Sequence, residues 1–172
     1  MQSKLPEELD FIQTARKGSE IQGNWPVKGL KRLTELLLDD SGMLEASLKF
    51  NQEGRLRYVS GTVSAQVNIT CQRCMQAMPL LLETEFNLAL VSDESKADQL
   101  PDGFEPLILD DDNRLNIPHM LEEELLLAMP IVAMHESDDC SEYLHKQKTQ
   151  QQTEAELKQE KDNPFSVLKD LL

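Results

Sequence analysis

Two cysteines separated by two residues are the most chemically distinctive feature of this 172-residue sequence. Cys71 and Cys74 stand in the segment CQRC, and two thiolates at this spacing in a tight turn can supply two ligands of a tetrahedral zinc ion. Cys140 is the only other cysteine, and His135 lies five residues before it. The sequence therefore offers one Cys3His set, formed by Cys71, Cys74, Cys140 and His135, as a candidate zinc site.

Two other interpretations of the CQRC segment stay open. The spacing from His135 to Cys140 is not that of a standard zinc finger, and the acidic pair Asp138 and Asp139 lies between them. The segment could then be a knuckle-shaped turn with two reduced cysteines. A redox role is the third interpretation, but in thioredoxin-like proteins such cysteines precede a helix whose N-terminus lowers the thiol pKa. Here the segment is predicted to join two strands, so that support is missing.

Other patterns that signal catalysis do not appear in the sequence. It contains no Ser-His-Asp pattern, glycine-rich phosphate loop or H-E-x-x-H segment. His119 is predicted to open a helix and His145 lies in a polar tract, so both are expected to face solvent. The acidic residues occur in runs that are expected to be solvated. We therefore expect that the protein is not an enzyme.

A small set of basic residues forms a second candidate site. Arg55 and Arg57 share one parity of a predicted strand, and Tyr58 adjoins them. Sheets that combine basic and aromatic side chains can bind single-stranded RNA, although hairpin arginines are more often simply solvated. The candidate contacts with RNA or a partner are Arg55, Arg57, Arg73, Lys28, Lys31 and Arg32.

The elements that would position these residues follow from the spacing of apolar side chains. Strict alternation predicts strands over residues 44–50, 59–70 and 79–91, with a turn at 51–54. We expect an antiparallel meander with CQRC at one of its turns. The predicted fold class is α+β: an antiparallel β meander with flanking helices and an acidic, partly disordered C-terminal region.

Shorter elements are expected on either side of the meander. Helical spacing predicts helices over residues 6–17, 28–38 and from Asn116 or Pro118 to Pro130, and short strands over 19–25 and 104–109.

Three regions are predicted along the chain. They are an α+β domain in residues 1–134, an acidic polar linker in 135–162 and a short amphipathic segment in 163–172.

The formal net charge of -14 is unevenly distributed. Acids and bases nearly cancel over residues 1–91, whereas residues 92–162 contain acidic runs such as 110–112 and 122–124. Clustered acids repel the phosphates of nucleic acids and complement a basic protein. The alternative is that they only solvate the surface.

The expected location is the cytoplasm. The sequence lacks a run of about 18 apolar residues that could span a membrane. Its N-terminus, MQSKLPEELDF, lacks the apolar stretch of a signal peptide. Three cysteines fit a reducing compartment better than a disulfide scaffold.

Together these features resemble the YceD family, whose members are described as large ribosomal RNA subunit accumulation proteins. The resemblance rests on a strand running into CQRC, on EEELLLAMPIV followed by a histidine and an acidic segment with a cysteine, and on the terminal NPFSVLKDLL. It implies a role in the synthesis, processing or stability of 23S rRNA and no catalytic residues. Some relatives have a fuller second set of cysteines after the helix, whereas this chain has only Cys140 there, and relatives often have glycine at the position of Met75.

The resemblance and the charge pattern lead to one expected function and one alternative. We expect a non-enzymatic accessory factor of large-subunit biogenesis, whose partner is a ribosomal protein or an assembly factor. Contact with 23S rRNA or its precursor is expected to be direct or indirect, and neither a membrane nor DNA is expected as a partner. The alternative is an acidic protein-binding adaptor without direct RNA contact. Zinc is the one possible cofactor.

Overall fold

A computed structural model describes residues 3–109, 112–135 and 140 of the chain. Two 3₁₀ helices, Val27–Gly29 and Glu94–Gln99, connect longer elements. In chain order the other elements of the described residues are β1 (Glu8–Asp10), α1 (Phe11–Lys17), β2 (Glu20–Pro26), α2 (Lys31–Thr34), β3 (Met43–Glu53), β4 (Leu56–Thr70), β5 (Ala77–Val91), β6 (Glu105–Ile108), β7 (Arg114–Asn116) and α3 (Ile117–Leu127).

The largest unit is a five-stranded sheet with the strand order β2-β3-β4-β5-β6. Strands β2 to β5 pair with their neighbours in antiparallel fashion, whereas β6 pairs with β5 in parallel. The longest ladder joins β4 to β5 and places Val63 opposite Thr84. The predicted α+β class and antiparallel meander are confirmed, and CQRC lies at the β4–β5 turn as expected.

One face of this sheet is covered by the helices. Phe11 of α1, Leu33 of α2 and Leu121 of α3 are fully buried against it. The rings of Phe11 and Phe50 meet edge to face, with their centroids 5.7 Å apart. The alternating residues of β4 that the sequence predicted for the core are all buried, namely Val59, Val63, Ala65, Val67 and Ile69.

The first helix is shorter than predicted. α1 begins after Asp10, whose carboxylate accepts a hydrogen bond from the N–H of Gln13 at 2.9 Å, and ends at Gly18 with a φ of 62°. The predicted helix over residues 6–17 is wrong at its start because β1 pairs there with β7 in a two-stranded antiparallel ribbon. That partner lies far along the chain, so local spacing could not reveal it.

The helix predicted over residues 28–38 is wrong over most of its length. The chain forms a 3₁₀ turn and then the four residues of α2. Leu30 and Leu33 are buried, but Leu38 is half exposed and its N–H donates to the carbonyl of Asn68 in β4 at 2.8 Å. One helical turn is enough to bury the first two leucines, and the chain then reaches β4 at Leu38.

The last described helix agrees with the sequence. α3 begins after Asn116, whose side chain accepts a hydrogen bond from the N–H of His119 at 2.9 Å, and ends at Leu127, shortly before Pro130. In the part of the chain that the structure describes, no helix is both long enough and apolar enough to cross a membrane. The predicted linker and C-terminal segment, residues 135–162 and 163–172, lie outside the described residues apart from His135 and Cys140.

Candidate metal centre and acidic groove

A tight turn over residues 71–76, called the knuckle turn below, joins β4 to β5. The N–H of Cys71 donates to the carbonyl of Gln76 at 2.9 Å, and the N–H of Met75 donates to the carbonyl of Cys71 at 2.8 Å. Met75 adopts the left-handed conformation with a φ of 60°. The chain therefore reverses within a few residues, and Cys71 and Cys74 both end up buried.

The chain beyond α3 returns to the knuckle turn. The N–H of Gln72 donates to the carbonyl of Ala133 at 2.8 Å. The guanidinium Nη2 of Arg73 donates to the carbonyl of His135 at 3.1 Å. These bonds bring His135 and Cys140 beside CQRC, although more than sixty positions separate them from it in the sequence.

Four side chains that can ligate a metal meet between these two segments. Cys71, Cys74, His135 and Cys140 each offer one ligand atom, and these atoms all lie within 4.8 Å of one another. Cys74 Sγ and His135 Nδ1 are 3.6 Å apart. All three cysteines are free and buried. The structure thus brings together every residue of the predicted Cys3His set, in an arrangement that could hold one metal ion.

Arg73 lies at the edge of this cluster. Its Nε donates to Cys140 Sγ at 2.8 Å, so the guanidinium contacts both of the later residues of the set. The sequence placed Arg73 among the possible contacts with RNA or a partner. In the structure its positive charge instead faces Cys140 Sγ.

The two thiols of the knuckle turn have different pKa values, because more hydrogen-bond donors face Cys71 than Cys74. Burial raises the pKa of Cys71, but the N–H groups of Cys74, His135 and Arg73 point at its sulfur and lower the pKa to about 5. Burial also raises the pKa of Cys74, and the sulfur atoms of Cys71 and Cys140 raise it further. A thiolate beside a thiol is therefore expected without metal, and a bound cation would displace the remaining protons.

The two predicted hairpin arginines lie far from this cluster. Arg55 is exposed in the turn before β4, and Nε of Arg57 donates to Gln52 Oε1 at 3.1 Å. β4 is 15 residues long. At about 3.3 Å per residue, a strand of this length separates Arg57 from Arg73 by roughly 45 Å.

The other basic candidates lie between β2 and β3, toward the opposite end of the sheet from the hairpin arginines. Lys28 and Lys31 are exposed. Arg32 Nη1 pairs with Glu123 Oε1 at 3.3 Å, and both side chains are more than half exposed. The structure therefore does not gather the six basic candidates on one face, and their contact with RNA or a partner stays a prediction.

A groove of about 290 Å³ lies between α3 and β6. Carboxylates of Glu105, Glu123 and Glu124 line it above apolar side chains that include Leu107, and we call it the acidic groove. Burial raises the pKa of Glu124, and the charges of Glu105 and Glu123 raise it further. The groove therefore places the buried carboxyl group of Glu124 beside two exposed carboxylates, and Arg32, which pairs with Glu123, also lines it.

Glu122 is a buried residue whose contacts were not predicted from the sequence. Its Oε1 accepts hydrogen bonds from the backbone N–H groups of Arg32 at 2.7 Å and Leu33 at 3.1 Å, and the side chain is 6 % exposed. The expectation that this acidic run is solvated is therefore wrong for Glu122 and for the buried Glu124. The sequence did indicate this burial, because three consecutive glutamates on a helix span about 200° and cannot all face solvent on an amphipathic helix.

The fold and the cluster define a small α+β protein in which a β-hairpin turn and a distant segment share a Cys3His group. Residues 59–172 match the family described as large ribosomal RNA subunit accumulation protein YceD. The chain is 31% identical to the protein of that name from Haemophilus influenzae over 98% of this chain and 96% of that protein. The chain therefore belongs to the YceD family, and the resemblance found in the sequence is confirmed. No solved structure gives a significant match.

Proposed function

We propose that this protein is a non-enzymatic accessory factor that supports the accumulation of 23S rRNA during biogenesis of the large ribosomal subunit. The observation that carries the proposal is the similarity to the large ribosomal RNA subunit accumulation protein YceD along nearly the whole chain. The step supported would be the synthesis, processing or stability of that RNA. Its place of action would be the cytoplasm, where bacterial ribosomes assemble.

The chemistry of the described site supports binding rather than catalysis. Three cysteines and one histidine would fill all four positions of a tetrahedral ion. A catalytic zinc needs an open position for water or substrate, so any Zn²⁺ held by these residues would be structural.

The acidic groove is the surface that we propose for the partner, a basic ribosomal protein or an assembly factor. Glu124 is only 7 % exposed and lies near two other carboxylates, so a Lys or Arg side chain entering the groove would relieve their repulsion. Leu127 lines the same groove and is 75 % exposed, which offers an apolar contact beside the charges. Charge and apolar area together suit a protein better than a nucleic acid.

A second candidate is an acidic protein-binding adaptor that does not contact RNA. The separation of Arg55 and Arg57 from the other basic candidates favours it, because RNA binding draws on clustered positive charge. In this case 23S rRNA or its precursor would be reached through the protein partner. Neither candidate involves a membrane or DNA.

The proposed role is tested by deleting the gene and measuring mature and precursor rRNA of both subunits. We expect 23S rRNA to fall relative to 16S rRNA and to recover when the wild-type gene is supplied. Equal loss of both RNAs, or no loss of either, would contradict the proposal.

The proposed partner surface is tested by affinity purification of a Glu105→Gln/Glu123→Gln variant from cells, with and without ribonuclease. We expect this variant to lose a basic partner that wild type retains after ribonuclease treatment. The control variant, Glu83→Gln/Glu85→Gln, removes two exposed acids of β5 and should retain it. Loss of every partner after ribonuclease would instead indicate direct RNA contact and exclude the adaptor.

A further inference from the structure

We propose that Cys71, Cys74, His135 and Cys140 bind one structural Zn²⁺ ion, which clamps the chain beyond α3 onto the knuckle turn. Bond lengths of about 2.3 Å to sulfur and 2.0–2.1 Å to nitrogen place sulfur and nitrogen about 3.6 Å apart around a tetrahedral zinc. Cys74 Sγ and His135 Nδ1 are 3.6 Å apart, and all four donor atoms lie within 4.8 Å of one another. An ion could therefore enter the group with only small movements of the side chains.

A positive charge beside the four ligands would balance the net charge of the zinc site. Three thiolates and a neutral imidazole around Zn²⁺ leave one net negative charge in a buried place, which is costly unless it is compensated. The guanidinium of Arg73 supplies one positive charge and donates to Cys140 Sγ at 2.8 Å. Arg73 is therefore a positioning residue that orients a ligand and neutralises the site.

Backbone donors also face the sulfur atoms. The N–H groups of Arg73, Cys74 and His135 direct hydrogen bonds to the sulfur of Cys71, and the N–H of Gln76 directs one to the sulfur of Cys74. Hydrogen-bond donors around a ligand atom are typical of the second shell of a metal site, where they orient the ligands. An ordinary apolar core position would not need them, because methyl groups would fill the same volume without polar partners.

The types of ligand select the ion. Thiolate and imidazole ligands suit Zn²⁺, whereas Mg²⁺ and Ca²⁺ prefer oxygen ligands. Four protein ligands complete the coordination shell, so the ion would serve the fold. His135 would bind through Nδ1, the ring nitrogen nearer to Cys74 Sγ.

The clamp follows from where the ligands lie in the chain. Two are in the knuckle turn, and the other two come after α3, with Cys74 and His135 separated by 61 positions. Among the described residues, hydrogen bonds from the N–H of Gln72 to the carbonyl of Ala133 and from Arg73 to His135 and Cys140 also join these segments. An ion that closes so long a loop would hold His135 and Cys140 in place far more firmly than these bonds do alone.

The first test is metal analysis of full-length protein purified without a metal-binding tag, followed by loading of the chelated protein with Co²⁺. We expect about one zinc per chain, and a cobalt spectrum with strong tetrahedral bands and thiolate-to-metal charge transfer. The cobalt spectrum needs no variant, so it is informative even if a ligand substitution prevents folding. Protein that neither contains nor takes up Zn²⁺, or native protein with a disulfide among the three cysteines, would overturn the proposal.

Matched variants test the individual residues. His135→Ala and Cys140→Ser should lose the zinc, whereas His119→Ala, which removes an exposed histidine of α3, should keep it. Arg73→Ala should weaken zinc affinity about 10- to 100-fold, with partial recovery in Arg73→Lys. Zinc content unchanged in Cys140→Ser would show that the ion binds elsewhere and would overturn the assignment.

The clamp itself is tested by hydrogen exchange of the wild-type protein with and without zinc. Removal of the metal should speed exchange at least about tenfold in residues 72–76 and 131–135, because their opening no longer requires release of the ion. Exchange at the β3–β4 hairpin should not change. Equal exchange at residues 131–135 in both states would overturn the clamp even if zinc binds.

Discussion

Two turns of the same meander are held in opposite ways. The hairpin turn, residues 53–56 between β3 and β4, is held by local bonds such as that from Gln52 Nε2 to the carbonyl of Gly54 at 3.0 Å. The knuckle turn contacts residues more than sixty positions away through Ala133, His135 and Cys140. The hairpin turn therefore needs only its own sequence, whereas the knuckle turn is complete only when a distant segment arrives.

Distant segments of the chain therefore meet at the end of the sheet that carries the knuckle turn. α2 and α3 meet near it through Glu122, and the candidate metal ligands meet within it. Substitutions there should have effects that reach beyond the local turn. Substitutions at the hairpin turn should have small effects.

The largest expected effect comes from removing one ligand of the knuckle turn. Cys74→Ser should lower the free energy of unfolding by at least about 3 kcal/mol in the presence of zinc, since loss of a structural metal is among the most destabilising changes. Arg57→Ala at the hairpin end should change it by no more than about 0.5 kcal/mol. Urea unfolding measures both, and equal losses would remove the contrast between the turns.

A smaller effect is expected at the contact between α2 and α3. Glu122→Ala leaves the N–H groups of Arg32 and Leu33 without their acceptor and should cost about 2–3 kcal/mol. Glu123→Ala removes only an exposed ion pair with Arg32 and should cost about 0–1 kcal/mol. Thermal and urea unfolding measure the loss of stability in the two variants, whose substituted glutamates are neighbours on one helix. A similar cost for both would show that burial of Glu122 contributes little.

Glu124 should make stability depend on pH. Its pKa in the folded protein is raised above the ordinary value of 4.5, first by burial and then by Glu105 and Glu123. The stabilisation from its protonated form is therefore complete below about pH 4.5 and is lost as the pH rises through the raised value. Glu124→Gln should be more stable than wild type at pH 7, by up to about 1 kcal/mol, with a smaller difference at pH 4. Glu83→Gln is the control and should show no such trend.

The smallest expected changes in stability come from substitutions at the left-handed backbone positions of the two turns. Gly54 and Met75 both have left-handed conformations, with φ values of 59° and 60°. Gly54→Ala should cost about 1 kcal/mol, because only the backbone opposes the added methyl group. Met75→Gly should instead stabilise the folded state by up to about 1 kcal/mol, since the Met75 side chain is 71 % exposed and little packing is lost. Destabilisation by Met75→Gly would show that its side chain packs usefully at the knuckle turn.

Local patterns were sufficient to predict much of the sheet. Alternation over β4 identified its buried face, and it placed CQRC at a turn. The pairing of β1 with β7 and the burial of Glu122 escaped prediction because each depends on a partner about 90 or more positions away. Helical spacing of leucines overstated α2, since one turn already buries Leu30 and Leu33.

The candidate metal set was predictable for a different reason. Cysteine and histidine are rare in this chain, so few combinations existed, and the structure brings the predicted one together. The role of Arg73 was not predictable, because its sequence position beside two cysteines does not show which way its side chain points.

The ratio of 23S to 16S rRNA in cells that lack the gene and carry variant copies tests the proposed role and both proposed sites together. We expect wild type and Arg55→Ala/Arg57→Ala to restore the ratio. We expect Cys71→Ser/Cys74→Ser at the knuckle turn and Glu105→Gln/Glu123→Gln in the acidic groove not to restore it, with protein levels checked for each. Full restoration by both of these variants, or failure of the hairpin variant alone, would show that the proposed sites do not carry the function.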